Sequence, residues 1–162
     1  MNMNLERDVE FILFKPEGYK YADTIFYEIE NELNLQVAAT KGRDIPYYLT
    51  REKADEHYYM HRGKPFHHLN LDNLTSGRVI ASVVLGEDAL PKVIKKAGYW
   101  DRSEAEKGTW RERFGDKKEI HKNAIHRADT PSDVKRETSL HFSREELVGK
   151  LPTIVYQYIF GI

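Results

Sequence analysis

Two long apolar runs dominate the pattern of hydrophobic and polar positions along this chain. Residues 9–14 and 79–85 are almost entirely apolar, and proline or glycine follows closely after each run. Runs of this length that end at such breakers are typical of strands buried on both faces of a sheet. Residues 35–40 alternate apolar and polar side chains, which predicts a third, half-buried strand.

Apolar residues at helical spacing separate these strands. Ile25, Ile29 and Leu33 recur on one face of a predicted helix, and Asp23 or Thr24 is available as its N-cap. The pattern predicts a short strand at residues 123–126 and further helices at residues 50–60, 66–74, 88–97 and 130–142. Residues 98–122 are dense in glycine and charge with weak periodicity, so we expect a long functional loop there.

The order of these segments predicts the fold class. Strand, helix, strand, helices, strand, helix, loop, strand and helix fit an α+β sandwich of the ferredoxin-like βαββαβ kind. In this arrangement helices cover an antiparallel four-stranded sheet. A chain of 162 residues with 40% hydrophobic content is long enough for one core, so we expect a single domain over residues 1–162.

Charge and composition narrow the classes of partner. The 25 lysines and arginines nearly balance the 26 aspartates and glutamates, and a net charge of -1 provides no global field for a polyanion. We therefore expect no nucleic-acid partner, and any phosphate binding must be local. The absence of cysteine removes disulfides, thiolate nucleophiles and cysteine-based zinc sites.

The two ends of the chain show no membrane or export pattern. The N-terminal residues lack the basic start and apolar centre of a secretion signal. Residues 151–162 are apolar and aromatic, but Pro152 and Gln157 interrupt them, and they are shorter than the roughly 20 residues that span a bilayer. We expect no membrane partner and a cytoplasmic location, with this tail packed against the domain or a neighbouring subunit.

His126 is the strongest candidate for chemistry. Glu137 follows it on a predicted helix whose start has an N-cap threonine and a proline at the first helical position. A carboxylate on one imidazole nitrogen fixes the tautomer that leaves the other lone pair free, as a nucleophilic histidine requires. Lys15 follows the first strand and Arg111 lies in the long loop, and two cations with a histidine suggest phosphate chemistry.

An ordered set of short motifs resembles the nucleoside diphosphate kinase family over roughly residues 5–148. One such tripeptide would be a weak signal, but their order and spacing together are strong. The matching segments are Lys15-Pro-Glu-Gly18, Glu56-His-Tyr58, Lys64-Pro-Phe66, Thr75-Ser-Gly77, Lys107-Gly-Thr-Trp-Arg111, Asn123-Ala-Ile-His126, Glu137 and Leu140-His-Phe142. The resemblance implies one domain of this family with a C-terminal extension at about residues 149–162.

The resemblance also implies a ping-pong phosphotransfer. His126 would take the γ-phosphate of a nucleoside triphosphate that carries Mg²⁺ and pass it to a nucleoside diphosphate. Carried over by position, Glu137 would hold the second imidazole nitrogen and Phe66 would stack on the base. The residues that would serve the phosphates and ribose are Lys15, Tyr58, Arg111 and Asn123. The family further implies a homo-oligomer, and we assign no metal ligand to the protein itself.

Two phosphate contacts of the family are missing from this chain. Ile94 aligns with the family's second phosphate-binding arginine, and Trp100 aligns with a phosphate-binding threonine. A depleted phosphate clamp would leave oxygens unneutralised. We therefore hypothesise that Arg127, Lys95 or Lys96 replaces part of the lost charge.

The support of the carboxylate also departs from the family. Ala128 replaces the serine that supports the glutamate, and Arg127 replaces the glycine after the histidine. We hypothesise that Glu137 orients His126 without help from a serine. These departures favour an alternative function, a catalytically weakened nucleotide-binding or interaction module of the same fold.

Four histidines form the main competing constellation. Two lie four residues apart on a predicted helix and two more follow closely, as His57, His61, His67 and His68. An all-histidine set could bind zinc or nickel. No carboxylate signature such as HExxH accompanies these residues, so phosphotransfer by His126 is the preferred interpretation.

Overall fold

Four strands form one antiparallel sheet. The computed structural model describes residues 2–162, and the strands pair in the order β2-β3-β1-β4. The strands are β1 (Val9–Phe14), β2 (Gln36–Lys41), β3 (Ile80–Leu85) and β4 (Ile125–Arg127). With helices between β1 and β2 and between β3 and β4, this order is the ferredoxin-like βαββαβ arrangement. The predicted fold class is therefore confirmed.

Helices connect and flank the strands. They are α1 (Leu5–Asp8), α2 (Ala22–Asn31), α3 (Arg51–His57), α4 (His67–Leu74), α5 (Ala89–Ala97), α6 (Trp110–Phe114), α7 (Pro131–His141), α8 (Arg144–Leu147) and α9 (Thr153–Phe160). Short 3₁₀ helices occur at Pro16–Tyr21, Tyr59–His61 and Arg102–Glu104. The helices α3 and α7 begin at capping threonines, because the hydroxyls of Thr50 and Thr130 each accept a hydrogen bond from the backbone N–H three residues later.

Both faces of the sheet are buried. Side chains alternate along β1, so Phe11 and Leu13 point to one face while Ile12 and Phe14 point to the other. The first face packs under α3, α4, α7 and α9, and the second packs under α2, α5 and Trp110. Every residue of β1 and β3 is buried, as the continuous apolar runs predict.

Two local predictions were wrong. Residues 98–122 are less irregular than predicted, since they contain α6, whose Trp110 is fully buried and donates its indole N–H to Glu28 over 3.3 Å. This long-range contact stabilises a helix too short to show a periodic pattern. The helix α2 begins earlier than predicted, directly after the 3₁₀ helix that Pro16 opens, so Tyr21 and not Asp23 precedes it.

The C-terminal segment packs against α7. Val155 and Ile159 of α9 are buried in the core beneath the first face of the sheet. Before it, α8 begins with a capping box in which the Ser143 and Glu146 side chains each bind the other's backbone N–H. Within residues 2–162, no helix combines the length and apolar character needed to cross a membrane.

Candidate active site

His126 and Glu137 meet at the edge of the sheet. The strand β4 pairs with β1 so that His126 lies beside Leu13, whose side chain belongs to the face covered by α7. The helix α7 carries Glu137, which is 1% exposed. Glu137 Oε1 and His126 Nε2 form a hydrogen bond, so the second ring nitrogen, Nδ1, is the one available for chemistry. The imidazole is reachable, with 13% of its side chain exposed.

Arg136 supports the second oxygen of this carboxylate. Its guanidinium lies 3.5 Å from Glu137 Oε2 and donates to the backbone carbonyls of Glu56 and His57, at 3.0 and 3.3 Å. Ala128, which stands where a serine was expected to help, is fully buried in the core. The hypothesis that Glu137 orients His126 without help from a serine stays a prediction, and the structure adds Arg136 as a charged contact to the carboxylate.

A strained turn precedes the histidine. Ala124 has a φ of 76°, and the N–H of Ile125 donates to the carbonyl of Asn123 over 3.0 Å, which closes a γ-turn. A residue with a Cβ rarely adopts a positive φ unless contacts with the surrounding structure hold its backbone in that conformation. Here the N–H of Lys15 donates to the Ala124 carbonyl over 3.0 Å, and Glu17 accepts from the Ala124 N–H over 3.0 Å.

Gly18 lets the chain approach this turn. A Cβ at residue 18 would lie 2.0 Å from the carbonyl oxygen of Ala124, so only a glycine fits. The segment that contains Lys15, Glu17 and Gly18 therefore positions the backbone just before the histidine. Sequence reasoning missed this role of Glu17 and Gly18, since nothing local to the motif indicates a contact with Ala124.

Lys15 is a buried cation beside the aromatic wall of the site. Its Nζ donates to the His121 carbonyl over 2.9 Å and lies 5.8 Å from the centroid of the Tyr58 ring. Burial lowers the pKa of Lys15 to about 8, an effect that the charge of Glu17 opposes and that of Arg111 reinforces. The lysine therefore titrates close to physiological pH.

The helix α6 positions Arg111. Trp110 anchors this helix in the core, and the next residue, Arg111, donates to the carbonyls of Gly98 and Ile125, both at 3.1 Å. Ile125 immediately precedes the histidine in β4, so the guanidinium lies at the same end of the strand. Burial lowers the pKa of Arg111 to about 10, which leaves it charged at neutral pH.

Aromatic rings lead from the histidine to the surface. The Tyr58 ring stands edge-on to His126 with centroids 5.6 Å apart, and His61 stacks on Tyr58 at 5.2 Å. Phe66 meets His61 in a T-shaped contact at 5.2 Å and is 43% exposed. An exposed phenyl ring at the outer end of this series is suited to stacking on a planar ligand.

Asn123 combines one satisfied and one unsatisfied polar atom. Its Nδ2 donates to the backbone carbonyl of Trp100 over 3.0 Å. Its Oδ1 is buried and has no hydrogen-bond partner among the described residues. A buried acceptor without a partner costs free energy unless a ligand or water satisfies it. The side chain is therefore held ready to accept a hydrogen bond.

A chain of buried side chains lies beside His126, and sequence reasoning missed it. His57 and His126 are in T-shaped contact with ring centroids 4.2 Å apart. His57 Nδ1 lies 3.0 Å from His141 Nε2, and His141 Nδ1 lies 2.8 Å from the Tyr47 hydroxyl. Burial, reinforced by nearby basic groups such as Arg136, lowers the pKa of both His57 and His141 well below the usual range.

The four histidines of the competing hypothesis do not form one cluster. His57 is buried beside His126, whereas His67 Nε2 is bound to Asp55 at 2.7 Å and His68 is exposed. Among the described residues, the group of metal-ligating side chains that does come together is His57 with His126 and Glu137.

All the predicted site residues lie around one end of β4. This set comprises Lys15, Tyr58, Phe66, Arg111, Asn123, His126 and Glu137. Their chemical roles stay predictions.

Comparison with known proteins identifies the family. The family model described as nucleoside diphosphate kinase matches residues 8–147. This chain belongs to the nucleoside diphosphate kinase family. The resemblance read from the motifs is therefore confirmed.

Relatives of the family cover most of the chain. A nucleoside diphosphate kinase of Archaeoglobus fulgidus is 35% identical over 141 residues, which span 86% of this chain and 89% of the relative. A nucleoside diphosphate kinase of Staphylothermus marinus is 34% identical over 90% of this chain and 99% of the relative. The solved structure of the Aquifex aeolicus nucleoside diphosphate kinase has a TM-score of 0.77 at 33% identity, and the match covers 86% of this chain and 97% of that one. The solved structure of a nucleoside diphosphate kinase from Halobacterium salinarum in complex with CDP has a TM-score of 0.76 at 30% identity, and the match covers 86% of this chain and 90% of that one.

The structure distinguishes the cations expected to compensate for Ile94. Ile94 packs against the core, and Lys95 is exposed on α5. Lys96 is engaged elsewhere, 3.4 Å from Glu28 and 3.6 Å from Glu32. The side chain of Arg127 is largely buried and pairs with Asp129, and its charge acts with burial to lower the pKa of Arg111. Of the three cations, Arg127 is therefore the one close to Arg111, with part of its charge offset by Asp129.

We expect Gly18→Ala to damage the site through the turn at Ala124. The new Cβ would meet a backbone oxygen, which cannot rotate away, so overpacking should cost about 1–3 kcal/mol or more of unfolding free energy. Urea unfolding measures this loss. Gly77→Ala is the matched control, because its Cβ would meet only the Pro16 side chain at 3.3 Å and beyond. Equal stability of the two variants would contradict the assigned contact.

We expect Arg136→Met to loosen Glu137 and to slow phosphorylation of the histidine by about tenfold or more, as loss of an orienting partner typically does. Single-turnover labelling at saturating nucleotide measures the rate. Lys135→Met is the matched control, since Lys135 lies over the Tyr158 ring, 4.6 Å from its centroid. Adding Ala128→Ser to Arg136→Met should recover part of the rate. An unchanged rate in Arg136→Met would show that this contact does not orient the carboxylate.

Proposed function

We propose that this protein is an active nucleoside diphosphate kinase that works through a phosphohistidine on His126. The observation that carries the proposal is the hydrogen bond between Glu137 and His126 Nε2. With its proton held at Nε2, the imidazole has its lone pair on Nδ1, the nitrogen that can attack phosphorus. Membership of the nucleoside diphosphate kinase family supports the same chemistry.

The reaction consists of two displacements on one nitrogen. In the first, the Nδ1 lone pair forms a bond to the γ-phosphorus, and the bond from that phosphorus to the bridging oxygen breaks, which releases a nucleoside diphosphate. The ring then carries positive charge, which Glu137 stabilises through Nε2–H. In the second, a terminal oxygen of another nucleoside diphosphate attacks the same phosphorus and restores the neutral ring.

Buried cations would bind the phosphates. Phosphoryl transfer is catalysed mainly by positioning and by neutralising charge on the transferred oxygens. Lys15 and Arg111 are both nearly inaccessible to solvent, and electrostatic attraction is stronger where water is excluded. Arg127 would add charge behind Arg111 and so offset part of the loss at Ile94.

The remaining predicted residues would bind the nucleoside. Phe66 is exposed at the rim, where it could stack on a base of any kind. The unsatisfied Oδ1 of Asn123 would accept a hydrogen bond from a ribose hydroxyl. Stacking without base-edge contacts favours a broad nucleotide specificity.

The donor set of the phosphate site fits a magnesium ion carried by the nucleotide. Lys15, Arg111 and the Asn123 amide nitrogen donate hydrogen bonds and so suit phosphate oxygens, not a cation. Magnesium is commonly held by substrate phosphates and water. When bound there, the ion would supply charge neutralisation at the phosphates, and the protein would hold it through the nucleotide.

Assembly and location are part of the same proposal. We propose a homo-oligomer of single-domain chains in the cytoplasm, with residues 149–162 as an extension that packs on α7. The alternative function is a catalytically weakened nucleotide-binding or interaction module of the same fold, which Ile94, Trp100 and Ala128 favour because each replaces a polar residue of the family. Arg136 contacts Glu137, and Arg127 adds charge close to Arg111, which is why we prefer the enzyme.

We expect His126→Ala to abolish the phosphoenzyme, because no neighbouring group can replace the bond-forming nitrogen. The measurement is incubation with γ-labelled ATP and Mg²⁺, followed by a test for acid-labile, alkali-stable label. His121→Ala is the control, since His121 contributes its carbonyl to Lys15 through the backbone, which alanine retains. Label retained in His126→Ala would move the nucleophile elsewhere, and no label on the unchanged protein would favour the binding module.

We expect kcat/KM to fall as pH rises through about 8, because the pKa of Lys15 is lowered to about 8 and the charged form is lost above it. Arg111 cannot cause this limb, because its pKa is about 10. The measurement is the pH profile of kcat/KM for the unchanged protein and for Lys15→Arg, in which the charge persists to higher pH. An unshifted descending limb in Lys15→Arg would assign it to another group.

A further inference from the structure

The buried face of the nucleophile has an unexplained histidine. His57 is fully buried, and its Nε2 has no hydrogen-bond partner among the described residues. The ring touches His126 edge to face at 4.2 Å between centroids. Neither phosphate binding nor the orientation of His126 by Glu137 uses this nitrogen. A buried polar atom of this kind needs an explanation, and a bound ion or water is one of the common ones.

The other nitrogen of His57 is firmly held. Its Nδ1 lies 3.0 Å from His141 Nε2, and His141 in turn lies 2.8 Å from the Tyr47 hydroxyl through Nδ1. The His141 ring also stacks on Phe11, at 5.3 Å between centroids and an interplanar angle of 10°. These contacts fix the orientation of the His57 ring from the side opposite Nε2. Metal-ligating histidines commonly have such a partner on the nitrogen that does not bind the metal.

Three ligand groups converge at this point. One ligand atom each of His57, His126 and Glu137 lies within 4.8 Å of the other two. Zinc binds imidazole nitrogen and carboxylate oxygen at about 2.0–2.2 Å, so ligand atoms on one ion lie roughly 3.3–3.6 Å apart. Small side-chain movements, which spread the His126–Glu137 pair and draw His57 inward, would bring the three groups to that spacing.

We propose that His57, His126 and Glu137 form a binding site for a borderline-soft divalent cation of the zinc class. Two imidazoles and one carboxylate suit zinc, cobalt or nickel, whereas magnesium prefers oxygen ligands alone. Of the three groups, only His126 reaches the surface, because His57 and Glu137 are buried, so a metal would enter past the His126 ring and a water molecule would complete the tetrahedral set. The site is therefore distinct from the magnesium that a nucleotide would carry.

Tautomers make the ligand set consistent. With its lone pair on Nε2 for the metal, His57 donates its Nδ1 proton to His141 Nε2, and His141 donates its own Nδ1 proton to the Tyr47 oxygen. The metal replaces the hydrogen bond between Glu137 and His126, so the His126 proton moves to Nδ1. No oxidation or proton release is needed, and all three histidines stay neutral.

Metal occupancy would block phosphotransfer. This consequence rests on the proposed function, since it assumes that His126 is the nucleophile. A metal on His126 and Glu137 removes the lone pair at Nδ1, because that nitrogen then carries the proton. Zinc at this site would thus act as a reversible inhibitor that competes with phosphorylation and leaves nucleotide binding possible.

The binding test uses Co²⁺ as a spectroscopic substitute for zinc. Chelator-treated protein without nucleotide is titrated with Co²⁺, and the visible absorption of a low-coordinate cobalt site is recorded. We expect one Co²⁺ per chain and displacement by Zn²⁺. His57→Gln should remove the band, and His141→Phe, which keeps the stack on Phe11, should weaken binding by about 10–100-fold. His68→Gln, at an exposed histidine of α4, should bind as the unchanged protein does.

Several outcomes would overturn the site. They are the absence of a band in the unchanged protein, a band that persists in His57→Gln, and a band that His68→Gln removes. If His57→Gln does not fold, ¹⁵N shifts of the ring nitrogens of His57 and His126 on adding Zn²⁺ to unchanged protein decide the question. Unshifted His57 and His126 signals would reject the site.

Labelling by γ-labelled ATP separates this proposal from the proposed function. If Zn²⁺ prevents phosphoenzyme formation in the unchanged protein and His141→Phe needs more Zn²⁺ for the same effect, both proposals are supported. A Co²⁺ band in a protein that forms no phosphoenzyme without metal would reject the kinase and retain the metal site. Normal labelling by γ-labelled ATP in a protein that shows no Co²⁺ band would retain the kinase and reject the metal site.

Discussion

The register between β4 and β1 is the constraint on which the site depends. A strand of three residues, held only at the edge of the sheet, places His126 beside Leu13. Because side chains alternate across a strand, a slip of one residue would turn His126 away from Glu137 on α7. The γ-turn at Ala124 opposes such a slip, because its backbone is held on both sides. The N–H of Lys15 donates to the Ala124 carbonyl, the Glu17 carboxylate accepts from the Ala124 N–H, and Gly18 packs directly against the same carbonyl.

Burial sets the electrostatics of this site. Desolvation is the largest cause of the lowered pKa at Lys15, Arg111, His57 and His141. The two cations keep their charge at neutral pH in surroundings that offer them few carboxylates, so an incoming phosphate would relieve their desolvation. The same lowering of the pKa keeps His57 and His141 neutral, because an ordinary histidine pKa is already close to neutral pH, and a neutral imidazole can accept a hydrogen bond or bind a metal. One physical effect would thus produce both the proposed anion site and, beside it, the proposed metal site.

Departures from the family pattern are partly offset by contacts from other elements. The serine expected near Glu137 is Ala128, buried in the core, while Arg136 reaches the carboxylate from the adjacent position on α7. The arginine expected at residue 94 is an isoleucine, and Arg127 brings charge close to Arg111 from β4. Arg127 directly follows His126 and Arg136 directly precedes Glu137 in sequence, so each moves with its neighbour if the strand or helix shifts.

The sequence by itself determined the elements that local patterns specify. The apolar runs located β1 and β3, the capping threonines located α3 and α7, and the ordered motifs indicated the family and the candidate residues. These features depend on periodicity, caps and spacing within a short segment, which one sequence displays.

The tertiary structure alone decided the contacts between distant segments. It placed Arg136 on Glu137, set Glu17 and Gly18 against Ala124, and joined His57 to His141. It also formed α6, because burying Trp110 stabilises a helix with too few turns to show a period. Each of these depends on which faces of separate elements meet in the packed core, and no local pattern in the sequence contains that information.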